Sequence, residues 1–159
     1  MTTRRTAELP LLVRAFLFLL LLPFILLVSP ILLLIGLYAL ALHIAIWLVW
    51  LSKGRDVLFV HSNSPVWSEY MQDLLTRMGD RAVVLNWSER KNWPSLSLAT
   101  MTFRWFGGYR NYNPMVVVFR PLRSGRCFRY WRAFKDHKHG KPEAVEQLTR
   151  DLFALLETR

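Results

Sequence analysis

The strongest pattern in the sequence is a long stretch without charge near its beginning. Between Arg14 and Lys53 there is no Lys, Arg, Asp or Glu, and the 38 residues are almost all aliphatic or aromatic. About 20 apolar residues are enough for a helix to cross a bilayer. The stretch therefore predicts a membrane segment and not the core helix of a water-soluble domain.

This stretch is too long for one perpendicular crossing. A helix of 38 residues extends over about 57 Å, whereas the hydrocarbon layer is about 30 Å thick. The segment Val28–Pro30 is the predicted break, because proline disfavours helical geometry in the residue before it and suits the first turn of a new helix. We predict a helical hairpin, either transmembrane or re-entrant, with helices at about 10–28 and 31–51 and a bend near Pro23.

Basic residues flank the hairpin on both sides. Arg4, Arg5 and Arg14 precede it, and Lys53 and Arg55 follow it. Because cytoplasmic segments carry the excess of Lys and Arg, the N-terminus and the C-terminal domain are both predicted to face the cytoplasm. A cleaved signal peptide is the alternative, but its apolar part is typically only about 7–15 residues long.

The remaining chain has the length of one compact domain. The sequence therefore divides into a membrane-anchoring hairpin at 1–52 and a globular domain at 53–159. The domain contains 18 Lys and Arg against 10 Asp and Glu, which gives a net charge of +8.

The first part of the domain has the pattern of a strand, a helix and a second strand. Val57–Val60 is a continuous apolar run, as in a strand covered on both faces. Ala82–Leu85 is a similar run, and such an order predicts a parallel pair. Between the two runs, up to Gly79, apolar residues recur at helical spacing at positions 67, 70, 71, 74, 75 and 78.

The second part predicts a helix, two strands and a final helix. Pro94 opens the first helix, which continues to Phe106, and Met115–Phe119 is the third strand. After a turn at Ser124, residues 126–134 form a fourth strand that pairs antiparallel with the third. The last helix begins at Pro142. Its core face consists of Val145, Leu148, Leu152, Leu155 and Leu156.

The order β-α-β-α-β-β-α resembles the thioredoxin and glutaredoxin superfamily. In that family the turn after the first strand carries Cys-Pro-x-Cys or a related motif, and a proline, often in cis, precedes the third strand. The proline before the third strand here is Pro114. The corresponding turn is Ser64-Pro65-Val66-Trp67. The resemblance implies a small thioredoxin-like domain, and together with the predicted hairpin this gives a membrane-anchored α/β protein.

The candidate chemistry of this domain is sparse. Thiol exchange needs two thiols, and the turn has none, so the usual redox reaction of the family is not expected. Ser64 is interpreted as a helix cap, with activation of a thiol cofactor as the alternative. Cys127 reads as a small buried hydrophobe. His137 and His139 lack the further ligands of a zinc site, so no metal and no cofactor are predicted.

The charge pattern is more informative than the turn. From residue 90 to residue 135 there is no acidic residue, and such a stretch creates a field of one sign unless acids from other segments cover it. The ten basic residues of this basic stretch are Arg90, Lys91, Arg104, Arg110, Arg120, Arg123, Arg126, Arg129, Arg132 and Lys135.

These patterns predict a non-catalytic membrane protein whose basic cytoplasmic domain docks on anionic lipid or on a membrane-protein complex, for example as an accessory subunit. Nucleic acid is not an expected partner, since no recognition motif is present. The alternative is a membrane-bound enzyme with a degenerate thioredoxin-like site that uses Ser64, either glutathione transferase-like or another transferase. The predicted binding residues are Arg104, Arg110, Arg120, Arg123, Arg126, Arg129 and Arg132.

Overall fold

The protein was analysed as a computed structural model that describes residues 10–108 and 113–158. It divides into two compact units, residues 1–40 and residues 41–159. Helix α1, Leu11–Val49, begins in the first unit and ends in the second. The division therefore falls inside a helix, ahead of the predicted domain boundary between residues 52 and 53.

Helix α1 replaces the predicted hairpin. It runs through 39 residues with Pro23 and Pro30 inside it, so the predicted break at Val28–Pro30 and the pair of helices are wrong. A proline removes one backbone hydrogen bond and crowds one carbonyl. A turn between two apolar helices would leave several backbone groups unbonded, which is more costly where water is absent. The apolar chain therefore continues as a helix through both prolines.

Helix α1 has the length and composition of a membrane span. Among the residues that the structure describes, it is the one helix that meets both conditions. The candidate span is Leu19–Lys53, and no residue in its 18-residue apolar stretch is buried in protein. Its 39 residues extend over about 58 Å, which exceeds the hydrocarbon thickness of about 30 Å. Its exposed apolar surface is consistent with association with a membrane.

The second unit is an α/β domain. Short 3₁₀ turns at Leu51–Lys53, Gly79–Arg81 and Trp87–Asn92 connect some of its elements. After α1 the elements are β1 (Val57–His61), α2 (Ser68–Met78), β2 (Ala82–Asn86), α3 (Leu98–Gly107), β3 (Met115–Arg120), β4 (Arg123–Arg129), α4 (Tyr130–Lys138) and α5 (Glu143–Glu157).

The described strands form a mixed sheet in the order β2-β1-β3-β4. Strand β1 pairs parallel with β2, with Val57 opposite Ala82, and antiparallel with β3, with Val57 opposite Val118. Strands β3 and β4 are antiparallel. The predicted parallel first pair and the predicted hairpin of the last two strands are confirmed, and β4 lies at one edge of the sheet.

The predicted fourth strand is wrong in its second half. Strand β4 ends at Arg129, and residues 130–138 form helix α4 instead. Tyr130, Ala133 and Phe134 are buried in this helix, a spacing that puts all three on one helical face. Burial of that face outweighs the weak strand pattern of the segment.

Two predicted helix starts are also corrected. Ser64 does not cap α2, because that helix begins at Ser68, and the residue at its N-cap position is Trp67, whose side chain makes no capping hydrogen bond. Helix α3 begins at Leu98 and not at Pro94, since the side chain of Ser97 accepts a hydrogen bond from the backbone N–H of Thr100. In both places the helix starts later than its proline predicts.

The two faces of the sheet are covered by different helices. Helices α2, α4 and α5 bury one face, where Phe59, Val116 and Phe128 point. Helix α3 and the end of α1 bury the other face, which includes Leu58, Val60, Met115 and Val117. Among the described side chains of α1 and the residue after it, the buried ones are Leu42, Ile46 and Trp50. Their spacing of four residues places them on one helical face, so the globular core begins inside the apolar helix.

This packing predicts a difference between two neighbouring residues. Ile46 is fully buried, whereas Leu48 is 70 % exposed within the protein. Ile46→Ala should lower the free energy of unfolding of the domain by about 2–5 kcal/mol, because it leaves a cavity in the core. Leu48→Ala is the matched control and should change it by about 0.5 kcal/mol or less. Thermal unfolding of the full chain in mild detergent, followed by tryptophan fluorescence, measures both, and equal effects would contradict the shared core.

Candidate functional site

The turn after β1 is held by the segment that follows β2. The backbone N–H of Asn63 donates to the hydroxyl of Ser88 at 3.0 Å, and the side-chain amide of Asn86 donates to Oδ1 of Asn63 at 2.9 Å. The amide of Asn86 also reaches a carboxylate oxygen of Glu89 at 2.9 Å. These bonds fix the backbone of the turn at the carboxyl end of the two parallel strands.

A cleft of about 390 Å³ opens beside this turn and is called the cleft below. Ser62, Ser64 and Trp67 line it from the turn and the start of α2. Asn113 and Pro114, which precede β3 and are joined by a cis peptide bond, line it as well. The predicted turn residues Ser64 and Pro114 thus lie in one cleft, although they are far apart in the chain.

Helix α4 supplies the remaining wall of the cleft. Phe134 stacks on Trp67 with the ring centroids 4.0 Å apart. The ammonium of Lys135 lies 5.8 Å from the ring centroid of Trp131, and that of Lys138 lies 5.8 Å from that of Trp67. Both distances are within reach of a cation–π contact. The wall therefore combines aromatic surface with two positive charges.

The composition of the cleft favours binding over catalysis. No Asp, Glu or His lines it among the residues that the structure describes, and residues 109–112 contain none of these types. A nucleophilic serine needs an adjacent base, and among the described hydrogen bonds none joins Ser64 to Lys135 or Lys138. The arrangement can hold an anion, but it shows no activated nucleophile.

The predicted binding arginines do not form one surface. Arg104 lies on α3, where its guanidinium donates to the carbonyl of Ser95 at 3.4 Å. Arg120 ends β3 and donates to the carbonyl of Leu155 and to the hydroxyl of Thr158. Arg120 thus holds the end of α5 against the sheet.

Four of the five remaining predicted arginines lie on or after β4. Arg123, Arg126 and Arg129 are exposed on β4 and are called the basic edge below. Arg129 also donates to the carbonyl of Phe106 at 3.0 Å. Arg132 is exposed on α4, and Arg110 lies outside the described residues.

The positive charge of the basic edge is not neutralised by the fold. Within residues 10–108 and 113–158, the ion pairs join Asp56 to Arg81 and Glu146 to Arg150. Neither pair includes a residue of the basic stretch. No acidic side chain of the described residues therefore pairs with the arginines of the basic edge.

The Asp56–Arg81 pair serves the fold. The guanidinium donates to both carboxylate oxygens, at 2.9 and 2.5 Å, and the hydrogen bond to Asp56 raises the pKa of Arg81. Arg81 also approaches the carbonyl of Leu156 at 3.4 Å. The pair lines a second cavity of about 520 Å³, in which Arg81 and Arg120 are already occupied by structural contacts.

The single cysteine and the histidines have structural surroundings. Cys127 is half-buried in β4, and burial raises the pKa of its thiol, while the charge of Arg129 opposes this shift. His137 packs edge-on against Trp67 with the centroids 5.7 Å apart. The ring centroids of His43 and Phe106 are 5.8 Å apart, and both residues belong to the globular unit. Among the described residues, no group of three His, Cys, Asp or Glu could hold a metal ion.

Sequence reasoning missed the lysine and aromatic wall of the cleft. Trp131, Lys135 and Lys138 stand at positions i, i+4 and i+7, which is one face of a helix, but the predicted fourth strand covered residues 126–134, and no element was predicted for Lys135 and Lys138. The spacing of these three residues was the signal that would have found the wall.

Comparison of the chain with protein-family models, with curated proteins and with solved structures gives no match.

The surroundings of Cys127 predict slow alkylation. Because burial raises the pKa of the thiol, the folded protein holds less of the reactive thiolate at pH 8 than the unfolded chain does. Iodoacetamide should modify the native protein roughly tenfold more slowly than the protein in guanidinium chloride. Arg129→Gln should slow the reaction further, since it removes the charge that favours the thiolate. Equal rates in the native and unfolded states would contradict this account.

Proposed function

We propose that the protein is a non-catalytic membrane protein in which α1 is the anchor and the basic α/β domain docks on anionic lipid headgroups. The observation that carries this proposal is the basic edge, whose exposed arginines have no acidic partner among the described residues. Each basic residue near an anionic surface contributes about 1 kcal/mol. Three such residues are enough to bias the orientation of an already anchored domain.

Anchoring by α1 supports docking, because it raises the concentration of lipid headgroups near the basic edge. Helix α1 contributes Leu42 and Ile46 to the core of the domain, so the end of the apolar helix is itself part of the domain. A tethered domain meets the surface as an intramolecular event. Weak contacts by the basic edge are then sufficient.

Two other roles for the basic edge are distinguishable. Charged side chains on an edge strand also prevent pairing with other chains, which requires no lipid. An acidic surface on an integral membrane protein is a second physical target, and it is the target expected of an accessory subunit. Dependence on anionic lipid in a purified system separates docking on lipid from both roles.

A binding function at the cleft is favoured by a separate observation. No described side chain fills the cleft beside Ser64 and Pro114. The alternative, a transferase that uses Ser64, would need this opening, but it would also need a base. The cleft is therefore better explained as a ligand site than as the active site of such a transferase.

We also propose that the domain is thioredoxin-like. This is supported by the order of the elements through β4, by the parallel pairing of β1 with β2, and by the antiparallel pairing of β3 with β4. Pro114 directly precedes β3, as the resemblance implies. Helix α4 departs from the order β-α-β-α-β-β-α, because it adds a helix before α5.

The side of the membrane is part of the proposal. We place the domain on the cytoplasmic side, where the leaflet is more anionic. A helix that crosses once puts the residues before it on the opposite face, in contrast to the prediction that both ends are cytoplasmic. The basic residues beside the two ends of the helix are similar in number, with Arg4, Arg5 and Arg14 against Lys53 and Arg55, so the proposed side rests on the anionic charge of the leaflet.

Docking is tested on the full chain in nanodiscs of phosphatidylcholine, with or without phosphatidylglycerol. A fluorophore is attached at Ser124→Cys in a Cys127→Ser background, and its quenching by a lipid-bound quencher reports contact of β4 with the surface. We expect quenching only with phosphatidylglycerol. Arg123→Gln with Arg126→Gln should lower the ratio of docked to free domain about 30-fold, from about 1 kcal/mol for each charge.

The matched control removes two charges elsewhere. Lys141→Gln with Arg150→Gln changes the net charge equally, outside the basic stretch, and should leave quenching nearly unchanged. Equal quenching on neutral and anionic discs, or equal loss in both double variants, would overturn the docking proposal.

A further inference from the structure

We propose that the cleft binds an organic phosphate, that is, a phosphate group joined to an aromatic or apolar portion. This goes beyond docking on lipid and does not require it, because the residues concerned belong to the turn after β1 and to helix α4 and not to the basic edge. The size of the cleft, its charge, its polar groups and its aromatic wall each favour such a ligand.

The size of the cleft suits a small molecule. Its volume of about 390 Å³ falls in the range of about 300–1,000 Å³ typical of ligand pockets. A bare phosphate ion would fill only a small part of it. The rest of the volume lies against Trp67, Trp131 and Phe134, so the ligand should carry an apolar or aromatic portion.

The charge of the cleft selects an anion. Lys135 and Lys138 are three residues apart on α4 and both line the cleft, as the spacing of helical neighbours allows. No acidic residue lines it among the described residues. Two ammonium groups without a carboxylate create a positive potential, which attracts an anionic ligand more strongly than a neutral one.

The polar groups of the cleft favour phosphate among anions. The hydroxyls of Ser62 and Ser64 make no hydrogen bond within the described residues, although both residues line the cleft. Together with the two ammonium groups they provide donors from both sides of the cleft. A phosphate group, with up to three free oxygens, can accept from more of these donors than a carboxylate can, and such charge-assisted bonds are strong.

The aromatic wall supplies a place for the rest of the ligand. Trp131 is 46 % exposed, so its ring is not needed to fill the core, while the stack of Phe134 on Trp67 stabilises the wall beside it. An exposed tryptophan next to a lysine offers a flat surface for an aromatic or apolar group. A soluble aromatic phosphate and a phospholipid headgroup both present this combination.

Binding is tested by isothermal titration calorimetry on the full chain in a neutral detergent. The probes are phenyl phosphate, inorganic phosphate, phenol and a short-chain phosphatidic acid. We expect saturable binding of phenyl phosphate or of the phosphatidic acid, weaker binding of inorganic phosphate, and none of phenol. Tighter binding of phenyl phosphate indicates a soluble ligand, and tighter binding of the phosphatidic acid indicates a lipid headgroup; each result supports the proposal.

Variants tie the binding to the cleft. Lys135→Gln with Lys138→Gln should weaken binding of both organic phosphates by roughly tenfold or more, because two charge-assisted contacts are lost. Trp131→Ala should weaken phenyl phosphate but not inorganic phosphate. Because all three side chains are on the wall of the cleft and not in the core, the melting temperature is a check that the variants fold.

The matched control is Lys141→Gln with Arg150→Gln, which should bind as the unchanged protein does. Arg123→Gln with Arg126→Gln should also keep the ligand, so failure of docking and failure of this site are separate results. Absence of saturable binding by both organic phosphates, or equal affinity in the Lys135 and Lys138 double variant and the control, would overturn the proposal.

Discussion

The structure of the globular unit depends on the burial of one face of the last turns of α1. Leu42, Ile46 and Trp50 lie against the face of the sheet that α3 also covers. Without them, apolar side chains such as Val60 and Val117 would lose part of their cover, and exposing apolar area costs about 25 cal/mol per Å². The helix that has the composition of a membrane span is therefore also a component of the domain core.

This shared helix explains the distribution of polar chemistry over the domain. The end of α1 and helix α3 cover one face of the sheet with apolar side chains, and α2, α4 and α5 cover the other face. Charged side chains are then left to the edge strand β4 and to the exposed side of α4, and uncharged polar side chains to the turn after β1. The basic edge and the cleft are thus separate surfaces of one small domain, and each is available to a different anionic group.

Much of the fold could be predicted from the sequence because its signals are local. The apolar run at β1 and the helical spacing in α2 and α5 identify elements whose buried faces are continuous in the chain. The uncharged stretch likewise identifies an apolar helix. The break predicted at Pro30 is wrong, because one lost hydrogen bond costs less free energy than a turn among apolar residues.

The cleft could not be predicted, for a different physical reason. It is formed by three segments that only the fold brings together, namely the turn after β1, the residues before β3, and α4. Ser64 and Pro114 were identified through the family resemblance, whereas Lys138 and Phe134 were not identified at all. Arg120 was predicted to bind a partner, but it contacts the carbonyl of Leu155. The sequence gives the position of an arginine in the chain, but it does not show which backbone carbonyl will accept a hydrogen bond from its guanidinium.

The most direct test of the account is the side of the membrane on which each end of α1 lies. In a Cys127→Ser background, Thr2→Cys reports the N-terminus and His139→Cys reports the domain. In sealed vesicles of uniform orientation, an impermeant thiol reagent should label one of these positions at once and the other only after the membrane is opened. Immediate labelling of both positions from the same side would contradict a single crossing that ends in the core of the basic domain.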